Sequence, residues 1–330
     1  MLSVKRNILR VAAATVASGV LAAGAVALAG SASASTIGAH HTGTSYSFKT
    51  LNNAHDLTFN QLLGINDEGV ISGYFGSGAA GHPNKGYLLL PREGFYINEN
   101  FPHSKQTQVT GLNNRGVTVG FYSKTNLGVG MDANYGWVNA YGHFRKVNFP
   151  TNSPASPAID QNLGVNDEGT VVGFYNDKNN ISHGYEYNIR TRQFSTVVDP
   201  SAPSASLTAA AINDHGDVAG FYTNPVTGNT DGFLLRDGHF IDLAVSGAST
   251  TMALGVNNYD EVVGVYTPSG TTELHGFTWT PRYGFTTVDD PKGIGTTTIN
   301  GVNDFGQLVG FYTTDSGNIT NGFLATPHRH

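Results

Sequence analysis

The chain has no cysteine, so disulfides and thiol chemistry are excluded, and its stability must come from a packed core. Charge is sparse at 13% of residues, and the formal net charge is negative, at −6. Nucleic acid and anionic membrane are therefore excluded as natural partners. No stretch of useful length shows the 3.6-residue apolar spacing of an amphipathic helix. Catalytic signatures are missing as well: there is no G-x-S-x-G, no H-E-x-x-H, no phosphate-cradling glycine loop and no D-x-D-x-D-G calcium spacing. What the chain has in quantity is glycine, 42 residues of it, with Asn, Thr and Ser, a mixture suited to short strands, turns and polar loops.

Residues 1–34 have the order of a secretory signal. Lys5, Arg6 and Arg10 precede an Ala/Val/Leu run from Val11 to Ala29, which ends in SASAS with an A-x-A site at Ala32-Ser33-Ala34. A retained membrane anchor is the competing reading, because the run is nearly long enough to span. Cleavage before Ser35 is favoured by the weakly apolar alanines and by the absence of basic stop-transfer residues. No Arg-Arg pair marks the twin-Arg route. Losing Lys5, Arg6 and Arg10 would take the charge from −6 to −9 and leave a secreted, extracellular protein with no membrane segment. Residues 35–43 read as a flexible linker and 44–330 as one domain, expected as a monomer.

That domain is periodic. NDEGVISGYF from Asn66, NNRGVTVGFY from Asn113, NDEGTVVGFY from Asn166, NDHGDVAGFY from Asn213, NNYDEVVGVY from Asn257 and NDFGQLVGFY from Asn303 are copies of one phrase. Repeats about this long are propeller blades or solenoid turns. Each contains four short runs rich in Val, Phe, Tyr and Thr, divided by Gly, Asn, Asp and Pro, which reads as a four-stranded antiparallel meander. A type I turn followed by a left-handed residue explains the leading Asx and closing Gly, and Asp260 takes the glycine's place in the fifth copy. The next glycine, as in Gly73 or Gly173, lies inside a strand, where crowding near a central axis or a bulge would require it. The two apolar or aromatic residues after it point to opposite faces, so both faces must be covered.

The last copy stops at His330 without its fourth strand, while TSYSFKTLNN (Thr44 to Asn53) matches the fourth-strand phrases QFSTVVD and GFTTVDD. The expectation is an all-β fold, a six-bladed β-propeller of four-stranded antiparallel blades whose last blade is completed by the N-terminal strand. A β-solenoid is the alternative, and it needs no strand shared between the two ends.

These units resemble those of the bacterial extracellular repeat proteins called the HAF family, which combine an Asn-x-x-Gly turn, a Val-Val-Gly strand and a His-Ala-Phe-like triplet. Here the triplet is best matched by HGF at His275 to Phe277 and HGY at His183 to Tyr185, with KGY, YGW, DGF and NGF in the other units. The resemblance covers nearly the whole domain and implies a secreted, propeller-like protein; it carries over no catalytic residue, so any catalytic group stays unknown.

Function is expected on the face bearing the longer loops, opposite the tight turns. Two rings of candidates lie there. One precedes each strand-three glycine: Lys85, Tyr135, His183, Asp231, His275 and Asn321. The other opens each innermost strand: Gln61, Gln108, Gln161, Thr208, Met252 and Thr298, with Asp160 beside Gln161. His183, Asp231 and His275 could suggest a metal or acid/base cluster, but strand-three residues of neighbouring blades stand too far apart to share one ion, and each side chain is expected to serve its own loop. No metal or cofactor is expected. Asp160, Glu186, Asp231 and Glu273 are the acids that break the repeat pattern, each read first as a solvated surface group. Tyr135 and Trp137, beside the loop SKTNLGVGMDAN, could stack on sugars, although Trp137 holds a position where buried aromatics recur. A binding module for extracellular or cell-wall glycan fits this set first, a secreted polysaccharide hydrolase or lyase at the channel mouth second, and a structural or protein-interaction scaffold third.

Overall fold

The structure, a computed structural model, describes residues 44–314 and 319–328. The expected leader and linker lie outside the described residues. Twenty-four strands account for the regular structure, and no helix occurs among the described residues. β1 (Tyr46–Thr50) comes first. The first unit is β2 (Asn60–Ile65), β3 (Ile71–Phe75), β4 (Lys85–Leu90) and β5 (Phe95–Asn98), and the second is β6 (Gln106–Leu112), β7 (Val117–Ser123), β8 (Tyr135–Ala140) and β9 (His143–Lys146). The third is β10 (Asp160–Val165), β11 (Thr170–Asn176), β12 (Ser182–Asn188) and β13 (Gln193–Val197). The fourth is β14 (Leu207–Ile212), β15 (Val218–Thr223), β16 (Thr230–Arg236) and β17 (His239–Leu243). The fifth is β18 (Ala248–Val256), β19 (Val262–Pro268), β20 (His275–Thr280) and β21 (Gly284–Thr287). The sixth supplies only β22 (Thr298–Val302), β23 (Leu308–Thr313) and β24 (Thr320–Pro327).

Within each unit consecutive strands pair antiparallel, and a single parallel pair, Thr230 with Thr250, fuses units four and five into one larger sheet. The sixth unit borrows its fourth strand from the other end of the chain. β1 pairs antiparallel with β24, from Tyr46 opposite Pro327 to Thr50 opposite Phe323, and Tyr46 and Phe48 pack on that unit's apolar side.

The core lies between units, as the doublets of apolar residues require. Val171 joins Val117, Val119 and Val138 of unit two, while its neighbour Val172 joins Leu207, Val218 and Phe233 of unit four. Every junction has such a cluster, including the one where Val309 of unit six meets Leu62, Ile71 and Leu89 of unit one.

The turn glycines have positive φ, 78° at Gly169 for example, and Asp260 adopts the same conformation at 60°. Its carboxylate is held 2.8 Å from Arg236 Nη1. Of the two reasons expected for the strand glycines, the bulge holds and axial crowding does not, because what crowds them is their own unit. Each faces a β-bulge in the innermost strand, such as the register shift between Val109 and Gly111, and a Cβ on Gly120 would collide with the Gln108 carbonyl and the Trp137 ring.

Candidate functional site

The leading Asn of each phrase is buried, and its amide works in two directions. In unit one, Asn66 Oδ1 accepts the Val70 N–H across its own turn at 2.9 Å, and Nδ2 donates to the Asn113 carbonyl of the next unit at 3.2 Å. The pattern repeats from Asn113 to Asn166, Asn166 to Asn213, Asn213 to Asn257 and Asn257 to Asn303. Asn303 then donates to the Asn66 carbonyl at 3.0 Å, and the circle is complete.

The second residue of each turn forms another closed circle nearer to solvent. The side chains are Asp67, Asn114, Asp167, Asp214, Asn258 and Asp304. Each accepts, at 2.7–2.9 Å, the backbone N–H of the corresponding residue in the preceding unit, with Asp67 accepting from Asp304. The two amides also bridge carboxylates. Asn114 Nδ2 donates to Asp67 and Asp167, and Asn258 Nδ2 to Asp214 and Asp304. The circle therefore reads Asp-Asn-Asp twice, an approximate two-fold arrangement.

These residues surround an axial pocket of about 80 Å³, whose floor is the apolar ring Ile65, Leu112, Val165, Ile212, Val256 and Val302. The third residue of each turn stands exposed on the rim: Glu68, Arg115 and Glu168 over one half, His215, Tyr259 and Phe305 over the other. Arg115 and Glu168 form a solvated ion pair at 3.4 Å. Tyr259 and Phe305 keep 72% and 51% of their surface in water. The pocket is thus lined by acceptor oxygens with no lysine or arginine among its lining residues, and two exposed aromatics follow Asn258 and Asp304 directly in the chain. No group of three metal-ligating side chains forms among the described residues.

The opposite face carries the residues singled out from sequence, and there each is bound up locally. Lys85 Nζ donates to the Lys105 carbonyl at 2.9 Å, and partial burial together with the Lys105 charge holds its ammonium below the usual lysine range. The Tyr135 ring lies under Lys146 Nζ, 4.2 Å from its centroid. His183 meets Asp177 at 3.3 Å and His275 meets Asp289 at 2.7 Å; each imidazole stacks on a tyrosine of the paired strand, Tyr175 or Tyr266. Burial raises Asp177, but the N–H groups of Ile181 and Asn179 and the His183 ring outweigh it, leaving that carboxyl below its ordinary range. Asp231 accepts from Asn224 at 2.7 Å, and Asn321 from Asn52 at 2.7 Å.

The second ring requires a correction, because it is not a surface. Gln61 and Gln161 are fully buried, and Gln108 and Asp160 nearly so. Gln61, Gln108 and Gln161 face Tyr74, Phe121 and Phe174 of the neighbouring strand, Asp160 faces Tyr175, and neighbouring side chains take their hydrogen bonds. Gln108 Nε2 donates to Asn84 Oδ1 at 2.9 Å, Gln161 Nε2 to Asn134 Oδ1 at 2.7 Å, and Gln61 Oε1 accepts from Tyr74 at 2.7 Å. Asp160 is likewise no solvated acid. Trp137 is wholly buried, as its strand position implies.

No family model matches the chain, and no curated protein does. Solved structures do resemble it. A protein of unknown function from Dyadobacter fermentans superposes with a TM-score of 0.54 at 11% identity, over 85% of this chain and 98% of that one. AofleA from Arthrobotrys oligospora gives 0.50 at 13% identity, over 87% and 88%. A six-bladed β-propeller lectin of Aleuria aurantia, described with a fucose recognition mode of its own, gives 0.43 at 11% identity over 70% and 78%. At these identities the likeness to the first two is one of fold, and the score of the third has no bearing on this chain.

Proposed function

We propose that this chain is a secreted, non-catalytic binding module for extracellular or cell-wall glycan, built as a monomeric six-bladed β-propeller of the HAF-repeat kind, and that it takes sugar at the turn-face mouth. The observation that carries the reading is that the exposed Tyr259 and Phe305 directly follow Asn258 and Asp304 of the acceptor ring that lines the pocket. A pyranose offers an apolar C–H face to an aromatic ring and hydroxyl donors to carboxylate and amide oxygens, and this half of the mouth answers both.

The test is co-sedimentation of the mature protein with insoluble polysaccharides, alongside mass spectrometry of soluble ones after incubation. Retention without released fragments is expected, and a Tyr259→Ala/Phe305→Ala variant should lose it while melting normally. New oligosaccharides would put the hydrolase or lyase reading first, and silence in both assays would favour a protein-interaction scaffold.

A further inference from the structure

Asp160 opens the innermost strand of unit three and is enclosed by the longest link between units. Its Oδ2 accepts the Phe149 N–H of that link at 2.8 Å, and its Oδ1 lies 2.8 Å from the hydroxyl of the fully buried Tyr185. That hydroxyl is also 2.8 Å from Asn162 Oδ1. The Asn162 amide cannot be turned round, because its Nδ2 donates to the Trp137 carbonyl at 3.0 Å, and a flip would set two carbonyl oxygens against each other. Three oxygens therefore meet at hydrogen-bonding distance, and Tyr185 brings one hydrogen. If Asp160 is ionised and takes it, Asn162 Oδ1 is left facing lone pairs in a site without water access, a costly arrangement.

We propose that Asp160 holds a proton in the folded protein, donating from Oδ1 to Tyr185, which in turn donates to Asn162, so that the site is a proton-dependent latch joining β10 to β12 beneath the 148–159 link. Every oxygen in the chain of three then has a hydrogen. Of the charged or titratable groups that face it, Lys146 on β9 favours the ionised form, as do hydrogen bonding by Tyr185 on β12 and by the Phe149 N–H and Asn148 of the link, while Tyr175 on β11 carries no charge at neutral pH. Burial outweighs these and pushes Asp160 up to about 7.

The link above this site is anchored beside the carboxyl: Ala155 N donates to Asn176 O, Asn176 N to Ile159 O and Asn134 N to Ala158 O, so the lone pairs left facing each other when Asp160 ionises are closed in under a fixed segment. Because the folded form binds this proton more tightly than the unfolded chain, whose aspartates titrate near ~4, the latch's contribution is complete below that value and is lost as pH rises through about 7.

Asp160→Asn separates the two protonation states. An asparagine amide can donate to Tyr185 and accept from Phe149, which copies the protonated aspartate and removes the titration. The expected result is a melting temperature equal to the parent's at pH 5 and above it at pH 8. A variant that melts below the parent at both pH values would overturn the proposal, since an ionised Asp160 accepting from Tyr185 would then be the native form. Carbon-13 titration of Asp160 in the unaltered protein gives an independent reading: a midpoint near 7 supports the latch, and one near ~4 refutes it.

Discussion

The two halves of the turn-face mouth share a scaffold and differ in what they show to solvent. Units one to three and units four to six present the same inner sequence, Asp-Asn-Asp, on the same buried asparagine circle. Outside it, one half carries Glu68, Arg115 and Glu168, and the other His215, Tyr259 and Phe305. Elements that hold the ring together are repeated, whereas elements that meet a partner need not be. The contrast separates architecture from recognition more cleanly than either half does alone, and it can be broken or sharpened by substitution.

The largest effect should come from the shared part. Asn166→Ala and Asn303→Ala each remove a turn-closing acceptor and a donor to the next unit from a buried site, and each should cost about 3 kcal/mol of stability. Chemical denaturation will show whether the two losses are alike; a loss confined to one half would mean the circle is not a common scaffold. Next come the rims. Removing both Tyr259 and Phe305 should weaken glycan binding by about 2 kcal/mol, roughly 30-fold, while Glu68→Ala/Glu168→Ala leaves it unchanged, as titration calorimetry would record. A smaller effect is expected from Arg115→Tyr/Glu168→Phe, which copies the aromatic pair onto the charged half; a second, weaker site in the binding stoichiometry would show that the rim alone selects the ligand. The smallest concerns Asp260, whose counterpart in the other half is Gly116. Asp260→Gly relieves a left-handed residue and gives up a half-exposed ion pair with Arg236, and the melting point should move by the equivalent of less than about 1 kcal/mol.

Much of this molecule was legible as text. The alternation of Val, Phe and Tyr between Asx-Gly turns gave the strands, and the match of Thr44–Asn53 to the fourth-strand phrases gave the pairing of β1 with β24. The asparagine circle was not read, although its bonds span 47, 53, 47, 44 and 46 residues, the repeat intervals themselves. A periodic Asn looked like turn chemistry, and only three-dimensional adjacency shows that its second amide hydrogen leaves the unit. The mouth was legible too, in the second and third letters of each phrase, but the tight turns were set aside in favour of longer loops. Glutamines such as Gln108 and Gln161 are hidden for a different reason: polarity marks them as surface, whereas partners supplied by loops distant in sequence allow them to be buried.

The seam between β1 and β24 has a consequence for the order of events as well as for the finished ring. Ser47 and Thr326 face each other across it from 279 residues apart in sequence. A chain appearing from its N-terminal side must carry β1 unpaired until a partner 279 residues further on has been made. Closure of so long a loop is a late step, and until it happens units one and six each lack a neighbour. Cooperative stability of the ring would therefore begin only when β1 and β24 meet.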